Sequence, residues 1–408
     1  MTITIGSPHE VLDARSVDRF IARCLDSLDL DGRSLCVVIP DATRQCPVAS
    51  LLAAVDVAVR GRVRTCTAVI ALGTHAPMSA AAISAMVGSF GFSVVNHDWR
   101  DPHTFVDVGT LDAATVSELS GGLLDESVDV RINRLVTESD VTVLIGPVLP
   151  HEVVGFSGGN KYLFPGLSGP ELIDVTHWLG ALLTSAAIIG TRGVTPVRAL
   201  IDAAAALVPG ERHALCVVVD DASGGLHSLA FGPPGDSWAA ASDVAATTHV
   251  EYLPAPVQRV LSLVAPRYED LWTGAKGFYK VEPVVADGGE VVLYAPHIST
   301  FAATHPGQEG LGYHCRDYFL AHWDEYKDVP RGELAHSTHL FGSGTYDPER
   351  GERPRVRVTL ATGIPEAVVR RANLGYLDPA GIDLAAWNAD PQALVVPHAG
   401  EVLYRLRR

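Results

Sequence analysis

Short aliphatic runs alternate with Ala-rich stretches of helical length through the first half of the chain, the rhythm of a parallel α/β sheet. Leu35–Ile39, Thr65–Ala71, Phe92–Asn96 and Val141–Ile145 read as strands, and Ala214–Asp220 as a further one. Helical patterns occupy Ala49–Ala58, Ala80–Gly88, Ala181–Ile189 and Pro196–Leu207. Each of the first four strands runs into a polar or glycine-bearing turn: PDATRQCP, LGTHAPMS, HDWRDPH and GPVLPHE. Ligands of open parallel sheets gather beyond the carboxyl ends of the strands, so these turns are nominated before any chemistry is considered.

Near Pro254–Pro266 the texture changes, and a second α/β pattern follows with strands at Glu290–Tyr294 and around Arg355–Leu360. A chain of 408 residues also exceeds what one ordinary core organises. The pattern therefore predicts two α/β domains with mainly parallel sheets and an active site in the cleft between them. Residues 1–260 form a cofactor-binding domain and 261–390 a second α/β domain. The closing segment 391–408, with ALVVPHAGEVLYRL, forms a hairpin or returns to the first domain.

Charge narrows the partners. With 47 acidic against 31 basic residues and a formal charge of −16, the chain is not expected to bind nucleic acid, which needs clustered cations to displace counterions. A small anionic substrate would have to be held by cations local to its site. The six cysteines are scattered without a CxxC pair and read as reduced thiols. No secretory leader is read at the start, and no apolar stretch reaches the roughly 18–20 residues of a membrane span. The expectation is a cytoplasmic protein with no membrane partner.

The densest chemistry lies in HEVVGFSGGNKYLFPGLSGPELIDVTH, from His151 to His177. Gly155, Gly158 and Gly159 leave the backbone free to approach a ligand, and Lys161 suggests an anionic one, cradled by backbone N–H groups. A Walker A loop is not formed, because Tyr162 follows the lysine. Alone, SGGNK is more often a glycine turn beside a surface lysine. The flanking His151 and His177, and the second turn PGLSG with Glu171 and Asp174 after it, argue for a site. Imidazole serves there as metal ligand or proton carrier.

Three further turns contribute. In Asp41-Ala-Thr43-Arg44, the guanidinium suits a carboxylate or phosphate and Asp41 can orient it; the competing reading is an Asx-turn with a surface arginine. His75 in GTHAPMS is a positioned acid/base or a turn cap. Lys276 in WTGAKG projects a cation toward the first domain or is merely solvated. The second-domain histidines His297, His305, His314, His336 and His339 read as structural or substrate-lining. HSTH lacks the helix and glutamate of a zincin site, so no second metal is expected there.

Taken in order, D-x-T-R, G-T-H, H-x₃-GFSGG-x-K, PGLSG, a later histidine and a distal GAKG resemble the nickel-pincer lactate racemase family, from Asp41 through Lys276 and on into APHI, GTY and LATGIP. The resemblance implies that Lys161 carries a pyridinium-3,5-bisthiocarboxylic acid mononucleotide through a thioamide and that His177 ligates its nickel. It implies His75 and His151 as the paired acid/bases, and Arg44 and Lys276 as substrate-carboxylate contacts. Asp41, Thr43, Gly158 and Gly159 border the cofactor. Thr273 stands where lactate racemases carry a substrate-binding glutamine, a departure that turns the expectation away from lactate itself.

The chemistry suits these residue types. Inverting an unactivated carbinol by proton removal is hard, whereas hydride removal assisted by a base on the hydroxyl is easier. Square-planar coordination with one imidazole fits nickel better than zinc. The expected activity is racemisation or epimerisation at C2 of a 2-hydroxy acid, with a longer aldonate-type acid favoured by the polar, His-rich second domain. Lactate or malate is the short-chain alternative, and a nucleotide-dependent phosphotransferase using SGGNK the more distant one. A carrier of the cofactor would need neither His75 nor His151. The partners implied are the small-molecule substrate and the enzymes that synthesise the cofactor.

Overall fold

Every residue of Ser34–Ile39 and Val141–Pro147 is buried, as aliphatic runs must be when both faces of a sheet are covered. These strands form the middle of a sheet in the first of two compact units; the computed structural model describes residues 1–407. The first unit comprises Met1–Leu149, Phe156–Thr176 and Arg192–Thr248. The second comprises Pro150–Gly155, His177–Thr191 and the chain from His249 onward.

The first unit's sheet has seven strands, in the order Ile3–Gly6, Leu226–Gly232, Glu211–Val219, Val141–Pro147, Ser34–Ile39, Thr65–Ile70 and Ser93–Asn96. The last five are parallel, and the first two extend the sheet antiparallel. From Ser34–Ile39 the chain builds outward to Ser93–Asn96, then crosses back to add Val141–Pro147 on the other side. Such a reversal opens a crevice at the carboxyl ends of the two strands that flank it. Asp41 follows one of them and the SGGNK loop follows the other, while His75 and His97 follow the next two strands out.

Helix Ala14–Asp26 shows how the layers are specified. Asp13 caps it, accepting the Ser16 N–H at 3.0 Å, and Val17, Phe20, Ile21, Cys24 and Leu25 make one buried stripe. That stripe joins Leu35, Val37 and Ile39 of the central strand and Leu51, Leu52 and Val55 of helix Val48–Val59 in one core.

The second unit has a five-stranded, all-parallel sheet in the order Gly375–Tyr376, Arg357–Thr362, Val285–Ala295, Val257–Val264 and Ala393–Ala399. The closing segment neither forms a hairpin nor returns to the first unit. Ala393–Ala399 is the edge strand of this sheet, and Leu403–Leu406 pairs parallel with Val250–Leu253. The division expected near residue 260 falls inside the second unit, whose main body starts at His249 and which also takes two earlier segments.

Two local expectations are corrected. The helix read over Ala181–Ile189 is two helices, Pro170–Leu183 and Ser185–Ile188, separated where Thr184 takes a left-handed φ of 73°. HSTH does lie on a helix, Arg331–Phe341, which places His336 and His339 one turn apart on the same face. All six cysteines are free thiols, and burial pushes Cys36, Cys46 and Cys216 up to about 12. Among the described residues, no helix is long and apolar enough to cross a membrane.

Candidate active site

In the first unit, Asp41 leaves the strand end buried and makes three contacts. Its Oδ1 accepts the Thr43 N–H at 3.1 Å and the Thr43 hydroxyl at 2.6 Å, and its Oδ2 lies 2.5 Å from His75 Nδ1. His75 is fixed through its backbone as well: its N–H donates to Leu72 O at 2.9 Å and its carbonyl accepts Trp99 Nε1–H at 3.1 Å. Burial alone would raise the Asp41 carboxyl. The facing His75 imidazole and its hydrogen bond, then Arg44 and Thr43, overcome that and hold the group well below the usual carboxylate range. An ionised Asp41 takes the proton on Nδ1 of His75, so Nε2 presents a lone pair. The imidazole is 25% exposed, reachable from outside the unit. The Asx-turn expected at Asp41 is realised, and its carboxylate turns to Thr43 and His75.

The SGGNK loop is a built structure. A Cβ on Gly158, at φ 90°, would sit 2.5 Å from Val148 Cγ2, and one on Gly159, at φ 58°, would sit 2.9 Å from Trp238 Cβ. Arg198, fully buried, braces the loop by donating to Gly158 O at 3.0 Å and Phe156 O at 2.5 Å, with its guanidinium 4.2 Å from the Trp238 ring. Asn160 donates to Asp202 Oδ1 at 2.9 Å. Tyr162 lies against Gly146 so closely that a Cβ there would meet its ring at 2.2 Å. Burial pushes this phenol well above its usual range. Lys161, half-buried in the short turn Gly159–Tyr162, therefore stands between two locked neighbours.

Arg198, Trp238, Tyr162 and Gly146 are absent from the sequence-level site. The available signal was an arginine inside the largely apolar helix Pro196–Leu207.

In the second unit, His151 is buried, and its Nδ1 accepts the Val153 N–H at 3.2 Å, with Glu152 Oε2 at 3.5 Å. An Nδ1 that accepts places the proton of the neutral ring on Nε2, the opposite tautomer to that of His75. The preceding carbonyl, Pro150 O, accepts from buried Lys280 Nζ at 2.6 Å, and the same ammonium donates to Glu401 O at 2.9 Å. Glu401 in turn accepts from Arg267 at 2.6 Å and from the Tyr268 hydroxyl at 2.5 Å. Nothing in local sequence pattern pointed to Lys280 or Glu401.

His177 sits half-buried in helix Pro170–Leu183, whose Gly180 packs on Val153 and whose Trp178 stacks on Trp323 with ring centroids 5.8 Å apart. Lys276 is not a solvated lysine. It is 6% exposed, with Nζ 4.9 Å from the centre of the Tyr268 ring. Thr273 uses its hydroxyl in the cap of the same run, donating to Asp270 Oδ1 at 2.7 Å. Of the other histidines, His314 pairs with Glu352 at 2.7 Å and His297 lies 3.1 Å from Tyr268 O, while His305 and His336 gather on Trp272.

Of the residues singled out in the sequence, Asp41, Thr43, Arg44, His75, Gly158, Gly159 and Lys161 lie in the first unit, and His151, His177, Thr273 and Lys276 in the second. Among the described residues, no group of three or more His, Cys, Asp or Glu is arranged to hold a metal ion. A metal at His177 would take its remaining donors from a bound group.

Residues 14–190 match the lactate racemase N-terminal domain. The lactate racemase of Thermoanaerobacterium thermosaccharolyticum is 25% identical over 280 residues, 66% of this chain and 62% of that protein. That of Lactiplantibacillus plantarum is 30% identical over 108 residues, 26% of this chain and 23% of that protein. The chain therefore aligns with less than two thirds of the length of either relative. A crystal structure of a Thermotoga maritima protein superposes with a TM-score of 0.90 at 29% identity, covering 98% of this chain and 99% of that one. The lactate racemase apoprotein of T. thermosaccharolyticum superposes with a TM-score of 0.73 at 19% identity over 99% of this chain and all of that one, a likeness of fold.

Proposed function

From the lactate racemase N-terminal domain match over residues 14–190 and the likeness to lactate racemases, we propose that the chain is a member of that family and a racemase or epimerase that inverts C2 of a 2-hydroxy acid. The observation that carries the reading is the pair of opposite imidazole states. His75, with Nδ1 on the Asp41 carboxylate, offers a lone pair at Nε2; His151, with Nδ1 accepting from Val153, offers an Nε2–H that can donate a hydrogen bond. A reaction that removes a hydroxyl proton on one face and returns one on the other needs a neutral imidazole as base and an imidazolium as acid, the role His151 takes once Nδ1, 3.5 Å from Glu152 Oε2, is also protonated. Reversing direction exchanges their roles.

The residues fit the cofactor that the family implies. Gly158 and Gly159 let the loop pack against Val148 and Trp238 and so fix the start of the turn that carries Lys161, which supplies the amine for a covalent tether, and His177 supplies a single imidazole for nickel. When bound, the nickel-pincer nucleotide supplies a cationic ring able to accept hydride from C2. The chain's own part is proton transfer and orientation. Asp41 stabilises the imidazolium formed when His75 Nε2 takes the substrate's hydroxyl proton. Arg44 and Lys276 are the cations offered to the substrate carboxylate, and the burial of Lys276 strengthens its attraction by excluding water.

The substrate class we favour is a longer polyhydroxylated acid of the aldonate type, supported by the polar aromatic lining of the second unit. The test is production of the chain together with cofactor-synthesis enzymes, followed by intact mass, nickel analysis and chiral analysis of a panel of aldonates, lactate and malate. The expected result is a mass adduct on Lys161, about one nickel per chain and inversion at C2. A preparation lacking adduct, nickel and inversion would overturn the proposal.

A further inference from the structure

The second unit contains a group of imidazoles and phenols to which the reaction proposed above gives no task. Trp272 stacks with His305 at a centroid distance of 4.0 Å and an angle of 6°, and with His336 at 4.1 Å and 28°. His336 is buried between two phenols, with Tyr279 OH 3.4 Å from Nδ1 and Tyr313 OH 3.5 Å from Nε2. Both contacts are at the outer limit of a hydrogen bond and are weak ones. One turn along the same helix, His339 holds Ser185 Oγ at 2.5 Å through Nδ1. Its Nε2 is buried and has no hydrogen-bond partner among the described residues.

A buried polar atom left without a partner costs about 1–3 kcal/mol, so such atoms are rare and call for a ligand or an ordered water. The orphaned Nε2 of His339 lies beside a second imidazole held only by long bonds. Burial, above all, pushes His339 down to about 4 and His336 well below its usual range, so both rings are neutral. A neutral imidazole has one N–H donor and one acceptor, as a hydroxyl has a donor and acceptors, whereas an anion would need a charged ring. Lys276 and His177, in the same unit, lie within electrostatic reach of His336. A chain anchored by its carboxylate at Lys276 is thus within range of the stacked rings, and Trp272, partly exposed, offers an apolar edge to its C–H groups.

We propose that His336 and His339, carried on the Trp272 stack, are specificity residues that read the distal hydroxyls of a polyhydroxylated 2-hydroxy acid. The inference rests on the racemase reading for the identity of the anchored end, but the hydroxyl-reading surface belongs to the second unit alone. Two variants probe it with little change of shape. His336→Phe keeps the ring on Trp272 and removes both nitrogens. His339→Asn keeps a polar atom for Ser185 and removes the position of Nε2.

The experiment compares a six-carbon aldonate with 2-hydroxyhexanoate, which has the same length and carboxyl end but no distal hydroxyls. Calorimetric binding and chiral turnover are measured on the full chain produced with cofactor-synthesis enzymes, with thermal melting to establish folding. The wild-type chain is expected to bind the aldonate at least about tenfold more tightly than 2-hydroxyhexanoate. Either variant, if folded, should collapse that ratio toward one by weakening the aldonate alone, and the turnover ratio should follow. Absence of preference in the wild type overturns the proposal, as does a preference retained in the folded variants or an equal loss for both ligands. Preferential binding without inversion would sink the racemase reading and leave the subsite standing.

Discussion

Oδ2 of Asp41 lies 2.5 Å from Nδ1 of His75, joining the turn after one central strand to the turn after its neighbour. A buried carboxylate in that position sets the imidazole's tautomer and holds the ring in one orientation. Replacing Asp41 with Asn keeps the size and the Thr43 contacts but removes the charge. Turnover should fall by about 10²-fold or more, with KM changed far less and nickel content unchanged. Steady-state kinetics of holoenzyme with the variant decides it; an unaltered kcat would show that the pair has no part in proton transfer.

The three histidines of the proposed site should separate by metal content. His177→Ala should lose nickel, whereas His75→Ala and His151→Ala should keep it while losing inversion by about 10²–10⁴-fold, the scale of a general acid–base contribution. Elemental analysis beside the chiral assay makes the distinction. Equal metal loss in all three variants would mean that the roles are wrongly divided.

Arg198 supports the lysine loop from beneath through two carbonyls and the Trp238 ring. Arg198→Met leaves Gly158 O and Phe156 O unsatisfied and should destabilise the chain by about 2–4 kcal/mol. The fraction of chains carrying the Lys161 adduct should fall in the same variant even below its melting temperature. Intact mass spectrometry reads the second effect, and full loading would limit Arg198 to a purely stabilising part.

Acid should destabilise the protein through its buried imidazoles. His97 is fully buried, its Nδ1 is 3.1 Å from Asn133 Nδ2, and burial pushes it down to about 4. Its folded pKa is depressed, so the unfolded chain binds the proton more readily. The stability it contributes is full above about 6.5 and is lost as pH falls from there toward 4. Between pH 7 and pH 5 the loss from this residue is about 2 kcal/mol. Urea denaturation at the two pH values should show it, and His97→Phe should reduce that difference; an unchanged difference would assign the acid sensitivity elsewhere.

Much of this molecule is legible in its sequence. The aliphatic runs at 35–39 and 141–145 are strands close to where periodicity puts them, because burial on both faces of a parallel sheet leaves a nearly continuous apolar signal, and Thr65–Ile70 beside them is buried over its last three residues. The turns DATR, GTH and SGGNK mark candidate ligand positions because special backbone geometry demands glycine, and chemistry demands Asp, Arg, His and Lys within a few residues. Both signals are local, and a sequence carries local information directly.

Tertiary structure decided what depends on distant partners. That Asp41 meets His75 follows from the pairing of two strands, and that Lys280 holds the carbonyl before His151 follows from the course of the closing segment, which joined the second unit rather than the first. The helix under HSTH converted an unremarkable spacing into two imidazoles on one face, one of them with an orphaned nitrogen. Tautomer, burial and the direction of a pKa shift are set by whatever packs against a group. Those neighbours come from residues tens to hundreds of positions away, where periodicity and spacing have no reach.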